Sequence, residues 1–196
     1  MSRLWLVPGR AVEDGLLAAV ERCLSEGAGF ALSRLFVDFE SRAEDLAGRG
    51  QHDASSLLAA LAELAPDSSN PVLGVTNLDL GTPVLSFVFG QAQLGGRTAV
   101  VSLARLRQEF YRLEAQADLL VLRACKEARH EIGHTLGLVH CDDRSCVMSL
   151  ATDVGDVDRR GESYCASCRR RVELELSRRE DAGAGGEGAT AFGGGD

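Results

Sequence analysis

The chain has 196 residues, 45% of them hydrophobic and 26% charged, with a formal net charge of −8. That length and apolar content suit one compact domain with its own core, and the charged fraction argues against bulk disorder. The acidic balance, broken only by a short basic run at Arg169–Arg171, disfavours nucleic-acid binding, and no stretch reaches the ~20 apolar residues of a membrane span.

Near the start, Leu4–Val7 reads as a short buried strand. Only these four apolar residues stand in a row before Pro8, short of the roughly seven of a secretory signal, so a reducing cytoplasm is the expected compartment. Val12, Leu16, Leu17, Val20 and Leu24 recur at helical spacing, and a second strand is expected from Phe30 to Phe39. Asp53 is placed to cap a helix that begins at Ala54. Pro71–Leu80, Pro83–Gly90 and a run from Arg97 are rich in strand-forming residues.

A long helix is expected over Leu106–Leu136, with Leu113, Ala117, Leu120, Val121, Ala124 and Ala128 on one stripe. Strand and helix in alternation, followed by a cluster of strands, predict an α/β sheet with an antiparallel edge. From Arg178 onward the sequence is dominated by Gly, Ala and charged residues, the composition of a disordered tail.

The chain holds four histidines, and His130, His134 and His140 fall within one short segment. His130 and His134 lie four apart, so on a helix both imidazoles project from one face and can reach one zinc at ~2.0–2.1 Å. Glu131 is rotated about 100° around the axis, where its carboxylate can take a proton from a zinc-bound water. Gly137 tolerates the left-handed conformation that ends a helix, and the chain then returns His140 as a third ligand. A lone histidine is more often an ordinary core or surface residue, and His52 reads as one. Five fixed positions arise by chance in on the order of one in a hundred thousand such chains, so the cluster reads as a metal site.

Met148 follows eight residues after His140 and is one of two methionines in the chain. Cys141 and Cys146 form a C-x4-C pair, and Cys165 and Cys168 a C-x2-C pair. Four thiolates so spaced suit a tetrahedral structural zinc, the alternatives being a redox-active or disulfide-bonded pair. Cys23 and Cys125 stand apart at helical positions and read as small buried residues.

H-E-x-x-H-x-x-G-x-x-H, continued by C-x4-C-x-M and then C-x-x-C, resembles the archaemetzincins, a family of zinc peptidases in the metzincin clan. The stretch between Met148 and Cys165 is one residue shorter than that family's usual spacing. The resemblance covers Leu4–Val172 and leaves out the tail. It implies a metzincin-like α/β fold: a mixed twisted sheet with an antiparallel edge strand, a long active-site helix, and a small zinc-stapled C-terminal subdomain from about residue 138. The single catalytic domain would span residues 1–177 and the disordered tail residues 178–196.

The resemblance further implies two zinc ions. One would be catalytic on His130, His134 and His140, and one structural on Cys141, Cys146, Cys165 and Cys168, with Met148 in the methionine turn. Glu131 would be the base of a peptide-bond hydrolase. Phe87, Val88, Phe89 and Gly90 would lie on the edge strand that pairs with substrate backbone. A peptide or protein substrate is implied, and the chain is expected to act as a monomer without nucleic acid or membrane. The alternative from a different class is a non-catalytic zinc module that binds a protein partner, for which Glu131 has no chemical use.

Overall fold

A computed structural model describes residues 3–28, 30–66 and 70–184. β1 (Arg3–Pro8) leads into α1 (Asp14–Ala28), which returns the chain to β2 (Ala31–Arg34) beside and parallel to β1. Two short strands, β3 (Asp45–Leu46) and β4 (Gln51–Asp53), precede α2 (Ala54–Leu64). Then come β5 (Val72–Thr76), β6 (Leu80–Gly81), β7 (Gly90–Ala92) and β8 (Thr98–Ser102). The main sheet has the order β2-β1-β5-β8-β7, and only β7 runs antiparallel. β3, β4 and β6 form a separate small sheet.

The parallel strands read as continuous apolar runs because both sheet faces are covered. Leu4, Leu6, Leu73, Val75, Ala99 and Val101 face one core, together with Leu17, Val20 and Leu24 of α1. The alternate residues Val7, Val72 and Val100 face a second core under Leu57 and Leu61 of α2. Each fully buried leucine contributes about 1.5–3 kcal/mol relative to exposure. Asp53 caps α2 as its sequence suggests, accepting the Ser55 N–H at 2.9 Å.

β2 ends at Arg34 rather than Phe39. Phe39 instead turns under the sheet, fully buried against Gly74, where a Cβ would stand 3.1 Å from its ring. Of the strand expected over Pro83–Gly90, only Gly90 lies in one, as the first residue of β7, preceded by a single bridge from Val88 to Leu80. The long helix is also shorter than its apolar spacing suggests. α3 spans Ala117–Thr135. Before it, 3₁₀ turns at Ala104–Leu106 and Gln108–Tyr111 reverse the chain, and Arg112 takes a left-handed φ of 61°. Leu113 is consequently exposed, outside the helix whose period it shares.

α3 packs Ala124, Cys125, Ala128 and Ile132 into the first core. The segment after it carries α4 (Val154–Arg159) and α5 (Ala166–Ala184). Its Val147, Met148, Val157, Cys168 and Val172 join that same core, so the C-terminal region shares its interior with the sheet.

The tail expected from residue 178 begins as helix, because α5 continues to Ala184; residues 185–196 lie outside the described residues. Arg179 explains the continuation. Its Nη2 donates to the Thr135 carbonyl at 2.6 Å and to the Gly96 carbonyl at 3.3 Å, and its Nε to Glu175 at 3.1 Å. The guanidinium thus ties α5 to the end of α3 and to the β7–β8 hairpin. Arg179→Ala should lower stability by about 1–3 kcal/mol in a thermal or denaturant melt. An unchanged midpoint would mean that these contacts carry nothing.

Candidate metal centre and cleft

Gly137, with φ +80°, terminates the helix that carries the first two histidines. The Leu138 N–H reaches back to the Gly133 carbonyl at 3.0 Å and the Gly137 N–H to the His134 carbonyl at 2.9 Å, the paired bonds of a Schellman turn. The reversal brings His140 over the helix end. The ring centroid of His140 lies 5.3 Å from that of His130 and 5.0 Å from that of His134.

Each helical imidazole is oriented from behind. His130 Nδ1 lies 2.8 Å from the Val147 carbonyl and His134 Nδ1 2.7 Å from the Leu138 carbonyl. A carbonyl only accepts, so each Nδ1 carries the proton and each Nε2 keeps a bare lone pair. The two Nε2 atoms are 3.1 Å apart. Two such acceptors repel, and burial pushes all three imidazoles below their ordinary pKa, so protonation does not relieve the repulsion. A cation does. One ligand nitrogen from each of the three histidines lies within 4.8 Å of the others, and a tetrahedral zinc would set such nitrogens about 3.4 Å apart.

Beneath the histidines, Met148 is fully buried, and its sulfur occupies the space where a side chain on Gly133 would begin. The Met148 carbonyl accepts the Cys141 N–H at 2.9 Å, which ties the methionine turn to the residue after His140. Glu131, also buried, lies against β7: a Cβ on Gly90 would stand 2.7 Å from its carboxylate oxygen. Burial holds the Glu131 carboxyl well above its ordinary pKa, and the Glu127 charge adds to the shift while Arg160 opposes it.

Of the four residues expected on the edge, Gly90 alone reaches this cleft. Phe89 is buried in the core and Val88 bridges to Leu80, while Phe87 stacks edge-on to Phe89 with Arg105 over its ring. Phe89 pairs with Ser102 and Gln93 with Thr98 through backbone bonds. The antiparallel alternation therefore leaves the N–H and C=O of Gly90 and Ala92 on the outer edge of β7. Tyr111 and Tyr164 both donate to backbone carbonyls, of Arg105 and Arg129.

The four cysteines converge beside the histidines, with one sulfur from each within 4.8 Å of the others. Cys141 and Cys165 sulfurs are 3.9 Å apart, near the about 3.8 Å edge of a tetrahedral zinc–thiolate site and too far for a disulfide. The Cys168 N–H, in the first turn of α5, brings the Cys165 thiol down to about 7, whereas burial pushes Cys146 and Cys168 up. Cys23 and Cys125 sit where α1 meets α3, each sulfur 3.7 Å from a backbone carbonyl.

A buried polar layer escapes the sequence reading. Arg123, Lys126 and Glu127 lie on α3 and are nearly inaccessible, as is Arg160. Arg123 grips Asp158 through two 2.7 Å bonds and the Leu106 carbonyl through a third, while Lys126 donates to the carbonyls of Val157 and Asp158. Charged residues at helical spacing normally mark a solvated face, and nothing local shows that α4 and Arg160 return to cover this one.

The profile of peptidase family M54 matches residues 35–174, which is 140 of the 196 residues and spans the histidine and cysteine clusters. The chain belongs to peptidase family M54, the archaemetzincins. The archaemetzincin of Methanocaldococcus jannaschii is 39% identical over 171 residues, 87% of this chain and 93% of its own. The crystal structure of the Methanopyrus kandleri archaemetzincin superposes with a TM-score of 0.78 at 37% identity, covering 90% of this chain and 96% of the other. That of Archaeoglobus fulgidus, solved with malonate, gives 0.72 at 32% identity over 86% and 99%. Archaemetzincin membership makes the protein a zinc-dependent peptidase, and the expected mixed α/β fold is the one observed.

Gly133→Ala should force Met148 from beneath the histidines and cost about 1–3 kcal/mol of stability. An unshifted thermal midpoint would show that the methionine has room to move.

Proposed function

We propose that this archaemetzincin hydrolyses peptide bonds at a zinc ion held by His130, His134 and His140, with Glu131 as general base. The observation that carries the reading is the pair of bare Nε2 lone pairs 3.1 Å apart, fixed by the carbonyls of Val147 and Leu138. Zinc at that point supplies Lewis acidity, polarising a peptide carbonyl and making water easier to deprotonate.

The protein's own groups do the rest. Glu131 accepts a proton from the attacking water and passes it to the departing amine. Its raised affinity for a proton, caused by burial, suits both halves of that task. The free edge at Gly90 and Ala92 offers two N–H and C=O pairs to an extended substrate, aligning it beside the carboxylate. Gly90 is needed there for a second reason, since any side chain would collide with Glu131.

Cys141, Cys146, Cys165 and Cys168 are proposed to hold a second zinc with a structural task. They would fasten the segment between His140 and Met148 to the start of α5. None of the six cysteines is in a disulfide, which suits a reducing cytoplasm, and no helix among the described residues is long and apolar enough to cross a membrane.

Glu131→Gln should leave fold and zinc content intact and reduce peptide hydrolysis by roughly 10²–10⁴-fold. Full turnover in that variant would assign the base elsewhere. Cys165→Ser should lower the melting temperature sharply, because binding free energy at a structural zinc is folding free energy. A wild-type melting curve would argue against a metal among the cysteines.

A further inference from the structure

Behind His130 lies a buried ion pair that the hydrolytic chemistry does not itself use. Arg160 Nη2 contacts Glu127 Oε1 at 2.5 Å, and each side chain is 2–3% exposed. Burying two charges is expensive and is seldom justified by stability alone, since apolar residues of the same size often do as well. The placement of the pair suggests another reason for it. Arg160 Nη1 is 3.3 Å from the Ser149 carbonyl, just after Met148, and 3.1 Å from His130 Nδ1.

A guanidinium has no acceptor, so the contact with Nδ1 is not a hydrogen bond while that nitrogen donates to Val147. It is a wall. The planar group fills the space behind the ring, keeps water from Nδ1, and leaves the Val147 carbonyl as the acceptor. Glu127 stands one turn before Glu131 on α3 and three residues before His130, so it fixes the guanidinium to the helix that carries the ligand. Lys126 secures the other end by holding the carbonyls of Val157 and Asp158, immediately before Arg160 in the chain.

We infer that Glu127 and Arg160 are positioning residues that set the orientation and tautomer of His130 and so the metal affinity of the histidine site. The inference rests on the reading of that site as a metal centre. Groups that orient a ligand in this way typically change metal affinity or activity by about 10–100-fold when replaced.

The test uses full-length protein, wild type, Arg160→Lys and Glu127→Gln, titrated with zinc against a chromophoric chelator. Cobalt titration identifies the sites, since thiolate charge-transfer bands mark the cysteine site and d–d bands alone the histidine site. Each variant should weaken the histidine site by about 10–100-fold and leave the cysteine site unchanged. The double variant should lose no more than the worse single, because both act through one contact.

Glu127→Gln keeps its shape and one acceptor oxygen toward Arg160, so it supplies the measurement if Arg160→Lys does not fold. A merely structural pair would lower the melting temperature with no change in the histidine site's affinity, and that result overturns the inference. The readout is metal affinity, so a protein that binds zinc normally but cleaves no peptide would sink the peptidase reading and leave this test standing.

Discussion

Two imidazole nitrogens with bare lone pairs, fixed 3.1 Å apart on a buried and a half-buried histidine, are a strained arrangement without a cation between them. Much of the structure can be understood as maintaining it. The carbonyls of Val147 and Leu138 lock the tautomers, the turn at Gly137 supplies both Leu138 and the third histidine, and Met148 fills the space that Gly133 leaves open. None of these parts is an ornament on a finished scaffold, because the C-terminal segment that provides them also completes the hydrophobic core.

α3 is consequently covered on both flanks. One flank is apolar and packs on the sheet and α1, as its composition suggests. The other is charged, and the protein satisfies it with a layer of specific partners, Asp158 for Arg123, two carbonyls for Lys126 and Arg160 for Glu127. Such a layer is costly to leave half-paired. It therefore specifies one register between α3 and the segment from Val147 to Arg160, and that register determines where His130 points. The four cysteines act further out, joining the chain after His140 to the start of α5. α5 in turn reaches the β7–β8 hairpin through Arg179.

The residues that gather at the centre were legible in the sequence because ligand chemistry restricts residue type and spacing together. His130, His134, His140 and the cysteine quartet meet as their spacing requires. The helix cap at Asp53 and the alternating sheet were legible for the same local reason. What depended on distant partners was not. Leu113 shares the period of α3 and lies outside it, because Arg112 turns the chain. Phe87 to Phe89 have strand character, yet they go to the core and to Arg105, leaving Gly90 and Ala92 as the free edge. Arg178 onward has the composition of a loose tail, yet Arg179 finds two carbonyls from residues far upstream. Arg160 gave no signal at all, since only the folded chain brings it behind His130.

Metal stoichiometry by mass spectrometry, on the full-length chain and on His134→Ala, bears most directly on the account of two separate centres. Two zinc ions per native chain, falling to one in the variant, are the predicted result. A single zinc that the substitution leaves in place would contradict it, since the metal would then belong to the cysteines alone and the histidines would need another explanation.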